Sequence, residues 1–159
     1  MKKLIVYYSR TGNTKFVAEK IADQLDADLC EATDKKNRKG RLTFLTGGFA
    51  SLREKLTEIE VSKPIEDYDV IIVGSPVWAG KITPAIRKFL VTNDFSDKLV
   101  ALFVTLGGDK AEKTLKNMKE TIMPKLLVGE LAITKALEQQ EETEEQVIDW
   151  CNQIQKALN

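Results

Sequence analysis

The 159-residue sequence contains no histidine and only two cysteines, Cys30 and Cys151. Without an imidazole, Ser-His and Cys-His nucleophile systems are excluded at once. The two cysteines form no CxxC, so with no histidine they cannot build an ordinary zinc site either. Reduced, packed thiols are the expected state. Long hydrophobic runs are also missing, and nothing approaches the roughly 20 apolar residues of a membrane span. The opening stretch "MKKLIVYYSRTG" is too briefly apolar for a signal peptide, and we read it as a mature cytoplasmic N-terminus. Neither an internal repeat nor a linker rich in Pro, Gly or Ser divides the chain, so one domain is expected over residues 1–159. An excess of one charge is absent too: 24 basic residues face 24 acidic ones, which argues against a general nucleic-acid binder.

The charges that are present cluster. "KKNRKGR" (Lys35 to Arg41) is basic and "EQQEETEE" (Glu138 to Glu145) acidic. Both suit solvated faces, and the basic run would also suit a handle for an acidic partner or a phosphorylated substrate.

Strand-like runs alternate with helix-spaced apolar residues. "LIVYY" precedes Phe16, Val17, Ile21 and Leu25, which fall on one helix face. "ADLCEAT" is a weaker second strand. "YDVIIVGS" (Tyr68 to Ser75) is a continuous apolar run between Pro64 and Pro76, as expected of a central parallel strand. In "TPAIRKFL", Thr83 is placed to cap a helix whose first residue is Pro84. "KLVALFVT" is the next strand; Ala111, Leu115, Met118 and Ile122 follow at helical spacing, and Pro124 stops that helix. "KLLVGELAI" is the last strand, before an amphipathic helix with Val147, Trp150, Cys151, Ile154 and Leu158 on one face. Five strands alternating with helices predict a doubly wound α/β sheet. The stretch Arg38 to Val61 is least regular: Leu52, Leu56 and Ile59 have helical spacing, but Gly47 and Gly48 weaken a helix there.

Ligands of such sheets bind beyond the carboxyl ends of the strands, where the strand order reverses. Three loops at that edge are unusual. In "SRTGNT", Ser9, Thr11, Asn13 and Thr14 supply neutral donors and Gly12 permits a tight turn. A helix starting near Asn13 would turn unpaired amides toward an anion. There is no GxGxxG and no GxxxxGK[ST], so the loop suits a terminal monoester phosphate; it equally suits a capped helix start. In "SPVWAGK", Pro76, Val77, Trp78, Ala79, Gly80 and Lys81 offer an indole for stacking and a glycine for close backbone approach. Trp78 packed over the adjacent helix is the plainer alternative. In "TLGGD", Thr105, Leu106, Gly107, Gly108 and Asp109 form a bare loop that lets the backbone reach a polar ring edge, and Asp109 is placed to cap the next helix. Together, phosphate donors, a stacking aromatic and a bare loop describe a site for flavin mononucleotide (FMN).

On "YYSRTGNTKFVAEKIA", "YDVIIVGSPVWAGKITPAIRKFL" and "FVTLGGD", the chain resembles the flavodoxin-like family over essentially its full length. The resemblance implies a three-layer α/β sandwich with a five-stranded parallel sheet in the order 2-1-3-4-5. It also implies non-covalent FMN, with the phosphate at Ser9 to Thr14 and the ring between Pro76–Lys81 and Thr105–Asp109. The peptide that reorients toward the reduced ring in that family would correspond to the region of Trp78 to Gly80. Two departures stand out: the chain is neutral where many flavodoxins are acidic, and "TLGGD" lacks the aromatic that many stack on the outer ring face.

The resemblance leads to an electron-transfer flavoprotein, with an FMN-dependent NAD(P)H:quinone-type reductase as the alternative that an uncovered ring face favours. Expected partners are a redox protein or a small-molecule electron acceptor, with NAD(P)H as a candidate donor; the residues do not specify an oligomeric state. No side-chain acid or base is assigned. A cofactor-free signalling module of the same fold would need carboxylates after the first and third strands to hold Mg²⁺, but those positions read "YYSRTG" and "GSPVW". A cysteine phosphatase would need its thiol in the first loop, where there is none.

Overall fold

β-branched and leucine-rich runs form strands because they pack well on a pleated surface buried on both sides. The computed structural model describes residues 1–34 and 59–159. Its elements in chain order are β1 (Lys3–Tyr7), α1 (Asn13–Leu25), β2 (Asp28–Glu31), β3 (Thr33–Asp34), β4 (Ile59–Glu60), β5 (Val70–Pro76), α2 (Pro84–Thr92), β6 (Leu99–Leu106), α3 (Ala111–Thr121), β7 (Leu126–Thr134) and α4 (Gln140–Leu158). The basic run Lys35–Arg41 and the irregular residues Gly47, Gly48, Leu52 and Leu56 lie outside the described residues. Ile59, which the spacing placed on a helix, is in β4.

The main sheet has five strands in the order β2-β1-β5-β6-β7, every pair parallel. Counted within that sheet alone, the order is 2-1-3-4-5, as the resemblance implies. The "ADLCEAT" segment does more than one strand's work. Its pairing to β1 runs through Glu31, and Thr33–Asp34 then form a separate antiparallel ladder with β4. A parallel strand needs a crossover to reach its neighbour, and the helices supply it.

Strand alternation sends successive side chains to opposite faces. Leu4 and Val6, Ile71 and Val73, and Val100, Leu102 and Val104 face one core, with Ile86, Phe89 and Leu90 of α2 and Leu115 and Met118 of α3. Ile5, Ile72, Ala101 and Phe103 face the other, with Val17 and Ile21 of α1 and Val147, Trp150 and Ile154 of α4. Each fully buried Val, Leu, Ile, Phe or Met among them contributes about 1.5–3 kcal/mol. Phe103 lies across Gly74, where a Cβ would come within 2.1 Å of the ring.

Local signals set the helix ends. Thr83 Oγ1 accepts from the Ile86 amide at 3.4 Å, with Pro84 at the first helical position. The helix α3 ends at Thr121 with Ile122 as its C-cap, two residues before Pro124. Glu141 and Glu142 occupy the first turn of α4, where the helix dipole favours negative charge. Lys20 of α1 pairs with Glu144 of α4 at 2.8 Å. Both cysteines are buried free thiols, and burial pushes Cys151 up to about 12. Among the described residues no helix is long and apolar enough to cross a membrane, and no group of side chains could hold a metal ion.

Candidate functional site

With all five strands parallel, their carboxyl ends share one edge. There a cavity of about 270 Å³ opens between the loops that follow β1, β5, β6 and β7. That is close to the lower end of the roughly 300–1,000 Å³ typical of small-molecule pockets.

From the first loop, Arg10, Thr11 and Asn13 line the cavity. Gly12 is the N-cap of α1 at φ 94°, without a side-chain cap. The first amides of any helix lack intrahelical acceptors. Ser9 Oγ takes two of them, accepting from the amides of Gly12 and Lys15 at 3.2 Å each. The amides of Asn13 and Thr14 make no hydrogen bond among the described residues. Asn13 Oδ1 accepts from the Leu137 amide at 3.1 Å, and its Nδ2 donates to Thr11 Oγ1, also at 3.1 Å. As an acceptor in that bond, the Thr11 hydroxyl keeps its own proton to give away. Thr14, expected as a hydroxyl donor to a ligand, is buried instead. Its Oγ1 meets Thr105 Oγ1 at 2.7 Å, because the helix start turns this side chain inward against β6.

From the β5–α2 loop, Pro76, Val77 and Trp78 line the cavity. Ser75 Oγ accepts from the Thr83 amide at 3.1 Å and donates to the Pro76 carbonyl at 2.9 Å, folding the loop back on its own root. Trp78 and Lys81 exchange two backbone bonds, 2.8 and 3.0 Å, around Ala79 at φ 52° and Gly80 at φ 74°. Positive φ at both central residues marks a type I′ turn. The Gly80 carbonyl accepts from Thr114 Oγ1 at 3.1 Å. The Trp78 indole is only 4% exposed. Tyr8 meets it edge-on at 5.5 Å, and the Arg10 guanidinium lies 5.5 Å from its ring centroid. Stacking and packing, posed as alternatives by the sequence, thus concern one side chain that belongs to the core and to the cavity wall.

From the β6–α3 loop, Thr105, Leu106 and Gly107 line the cavity. A Cβ added at Gly107 or Gly108 would meet nothing within 4 Å, so both glycines border open space. Asp109 does not cap the next helix. The N-cap of α3 is Lys110 at φ 73°, whose carbonyl accepts from the Thr114 amide at 3.2 Å and from Thr114 Oγ1 at 3.0 Å. The glycine turn runs one residue further than a side-chain cap by Asp109 allows.

The fourth loop was not foreseen. Lys135 and Glu138 line the cavity, and the Lys135 amide donates to the Leu106 carbonyl at 2.9 Å. Leu137 Cδ1 packs 3.5 Å from where a Gly12 Cβ would stand. The segment "TKALEQQ" has neither glycine nor proline to mark a loop and reads as an early helix start; Lys135 interrupts it with φ 52°.

At the root of the first loop, burial, aided by Glu31 and Glu19, pushes the Tyr7 phenol up to about 12. A phenol that keeps its proton throughout the neutral range cannot act as a base there. The cavity wall combines the apolar Pro76, Val77, Trp78 and Leu106 with hydroxyls and the charges of Arg10, Lys135 and Glu138, an arrangement suited to holding an anion and a flat ring.

Known proteins carry the same architecture. The profile of the flavodoxin family matches residues 2–154. A flavoprotein from Lactobacillus acidophilus, crystallised with FMN, superposes with a TM-score of 0.68 at 24% identity, covering 88% of this chain and 98% of that one. Flavodoxin 2 from Bacillus cereus gives a TM-score of 0.62 at 20% identity, with 99% of each chain covered. An NAD(P)H dehydrogenase (quinone) from Archaeoglobus fulgidus is 30% identical over 92 residues, which span 55% of this chain and 48% of that protein. The chain therefore spans about half the length of the curated relative it matches. The sheet order, the cavity at its carboxyl edge and a profile match over nearly the whole sequence lead to one conclusion: this chain belongs to the flavodoxin family.

Proposed function

We propose that the protein binds FMN non-covalently in this cavity and transfers electrons through it. One observation carries the reading: unpaired helix-start amides, an indole wall and a bare glycine loop border the same cavity. The residues fit the group. The amides of Asn13 and Thr14, together with the hydroxyls of Ser9 and Thr11, would take the phosphate. The loop of Pro76, Val77, Trp78, Ala79, Gly80 and Lys81 would flank the ring on one side. Thr105, Leu106, Gly107, Gly108 and Asp109 would flank it on the other, where the space before Gly107 admits a polar ring edge. When bound, FMN supplies the redox chemistry; the protein holds, orients and shields it. Trp78 would exclude water from one ring face, and backbone amides near Gly80 and Gly107 would donate to the ring's polar edge. No side chain is assigned a proton-transfer step.

A second reading, an NAD(P)H-dependent reductase of quinones or similar acceptors, is favoured by the exposed, aromatic-free Gly107–Asp109 loop and by the name of the Archaeoglobus relative. A redox partner protein would take the acceptor's place if the protein is a carrier. We read residues 1–159 as one cytoplasmic domain.

Flavin fluorescence titration of the ligand-free protein tests the first reading. Quenching with micromolar or tighter FMN affinity and a yellow complex are expected, and Trp78→Ala should weaken it. A folded protein that leaves FMN fluorescence unchanged ends the proposal. Stopped-flow mixing of the FMN complex with NADH and NADPH separates the two roles, since rapid bleaching by either nicotinamide is incompatible with a pure carrier.

A further inference from the structure

The loop after β7 enters the cavity with two opposite charges, and nothing in the reading above uses them. Lys135 and Glu138 both line the cavity, their charged ends 3.7 Å apart and their side chains 49% and 72% exposed. A pair so exposed is held weakly and can be exchanged for a better partner at little cost. The loop's place is nevertheless fixed. The Lys135 amide donates to the Leu106 carbonyl, and the Leu137 amide donates to Asn13 Oδ1, which turns the Asn13 amide group onto Thr11. Lys135 itself is held at φ 52°, a conformation that costs a non-glycine residue strain and persists where its surroundings impose it. The outcome is an ammonium group on a stem rooted beside the β6–α3 loop, next to a backbone bonded to the first loop.

We propose that residues 135–138 form the charge-reading wall of the site, with Lys135 pairing to the phosphate monoester of the ligand. In the ligand-free protein Glu138 is the counter-ion of Lys135; when a dianion enters, Lys135 exchanges the carboxylate for the phosphate. Glu138 thereby sets a threshold. Its charge opposes any anion that fails to engage Lys135, so the preference for a phosphorylated flavin over the same flavin without its phosphate comes from Lys135 and is moderated by Glu138. Arg10, the other cation lining the cavity, belongs to the first loop and lies over the Trp78 ring, and Lys135 adds a second cation from the loop after β7, whose backbone bonds to Asn13 of the first loop. This inference rests on the FMN reading and adds to it a residue for selecting the phosphorylated form.

The test compares FMN with riboflavin by fluorescence titration of wild type, Lys135→Gln and Glu138→Gln, at low salt and at about 0.15 M, where screening reaches ~8 Å. Lys135→Gln should weaken FMN about three- to tenfold and leave riboflavin unchanged, since a charge-assisted bond is lost only where there is a charge to assist. Glu138→Gln should tighten FMN by about two- to threefold by removing a like charge, and both effects should shrink at the higher salt. Equal losses for the two flavins, unchanged FMN affinity in Lys135→Gln, or weaker FMN binding in Glu138→Gln each overturn the inference while leaving the FMN site standing. A wild type that binds neither flavin overturns the FMN reading itself. Melting curves of the ligand-free variants check folding, and Glu138→Gln carries the test alone if Lys135→Gln does not fold.

Discussion

The loops after β1 and β5 sit at the same sheet edge but are held in opposite ways. The first is organised by side chains: Ser9 collects two amides, and Asn13 joins Thr11 to Leu137. The second is organised by backbone, a two-residue turn closed by reciprocal bonds between Trp78 and Lys81 with Ala79 and Gly80 both left-handed. Side-chain scaffolding leaves the Asn13 and Thr14 amides without a hydrogen bond among the described residues and fixes their direction, which suits a permanently charged group. A backbone turn with a glycine at its centre can change the orientation of a peptide more readily, which suits a ring whose hydrogen-bonding needs change with its redox state. A single ligand with a constant end and a variable end would meet both kinds of wall.

The largest expected effect removes what both loops stand on. Gly74→Ala drives a methyl into the Phe103 ring and should cost about 3 kcal/mol or more, at or beyond the upper end for overpacking; urea unfolding of the ligand-free protein measures it. Thr14→Val leaves the buried Thr105 hydroxyl without its partner at 2.7 Å. It should cost about 1–3 kcal/mol and weaken FMN binding, whereas an effect confined to binding would mean that the Thr14 hydroxyl serves the ligand rather than the fold. The turn responds in the other direction. Ala79→Gly relieves a left-handed alanine at φ 52° and should raise stability by less than about 1 kcal/mol, partly offset by unfolded-state entropy; destabilisation by as much would show that the methyl packs usefully. The smallest effect lies away from both loops. The Tyr68 hydroxyl, donating at 2.6 Å, and Lys63 beside it hold the Asp28 carboxyl below its usual range. A depressed folded pKa contributes stability that is fully present above the unfolded value of about 3.9 and lost as pH falls through the folded one. Wild type and Asp28→Asn should therefore differ slightly in melting temperature at pH 6 and converge in strong acid.

Much of this was legible in the sequence because the signals are local. The run "YDVIIVGS" is apolar from Val70 to Val73, all buried in a central strand, and Thr83–Pro84 names the first turn of α2 through one hydroxyl and one missing amide. The three glycine-bearing loops were recognisable as unusual for the same reason. What could not be read depends on partners far apart in the chain. Thr14 meets Thr105 across 91 positions, so its hydroxyl looked available to a ligand when it is engaged in the core. A smaller, local difference is the N-cap of α3, which is Lys110 at φ 73° rather than Asp109, a left-handed start that capping preferences do not anticipate. The wall at Lys135 and Glu138 lacks any turn residue, and only its bonds to Leu106 and Asn13 reveal it as a loop.

The hydroxyl pair of Thr14 and Thr105 joins the start of α1, which follows β1, to the end of β6, although β5 runs between β1 and β6. It acts as a strap over the end of the middle strand, tying the two flanking segments at a fixed separation. A receptor laced up in this way is assembled before its guest arrives, so the guest need not supply the ordering entropy of those two walls.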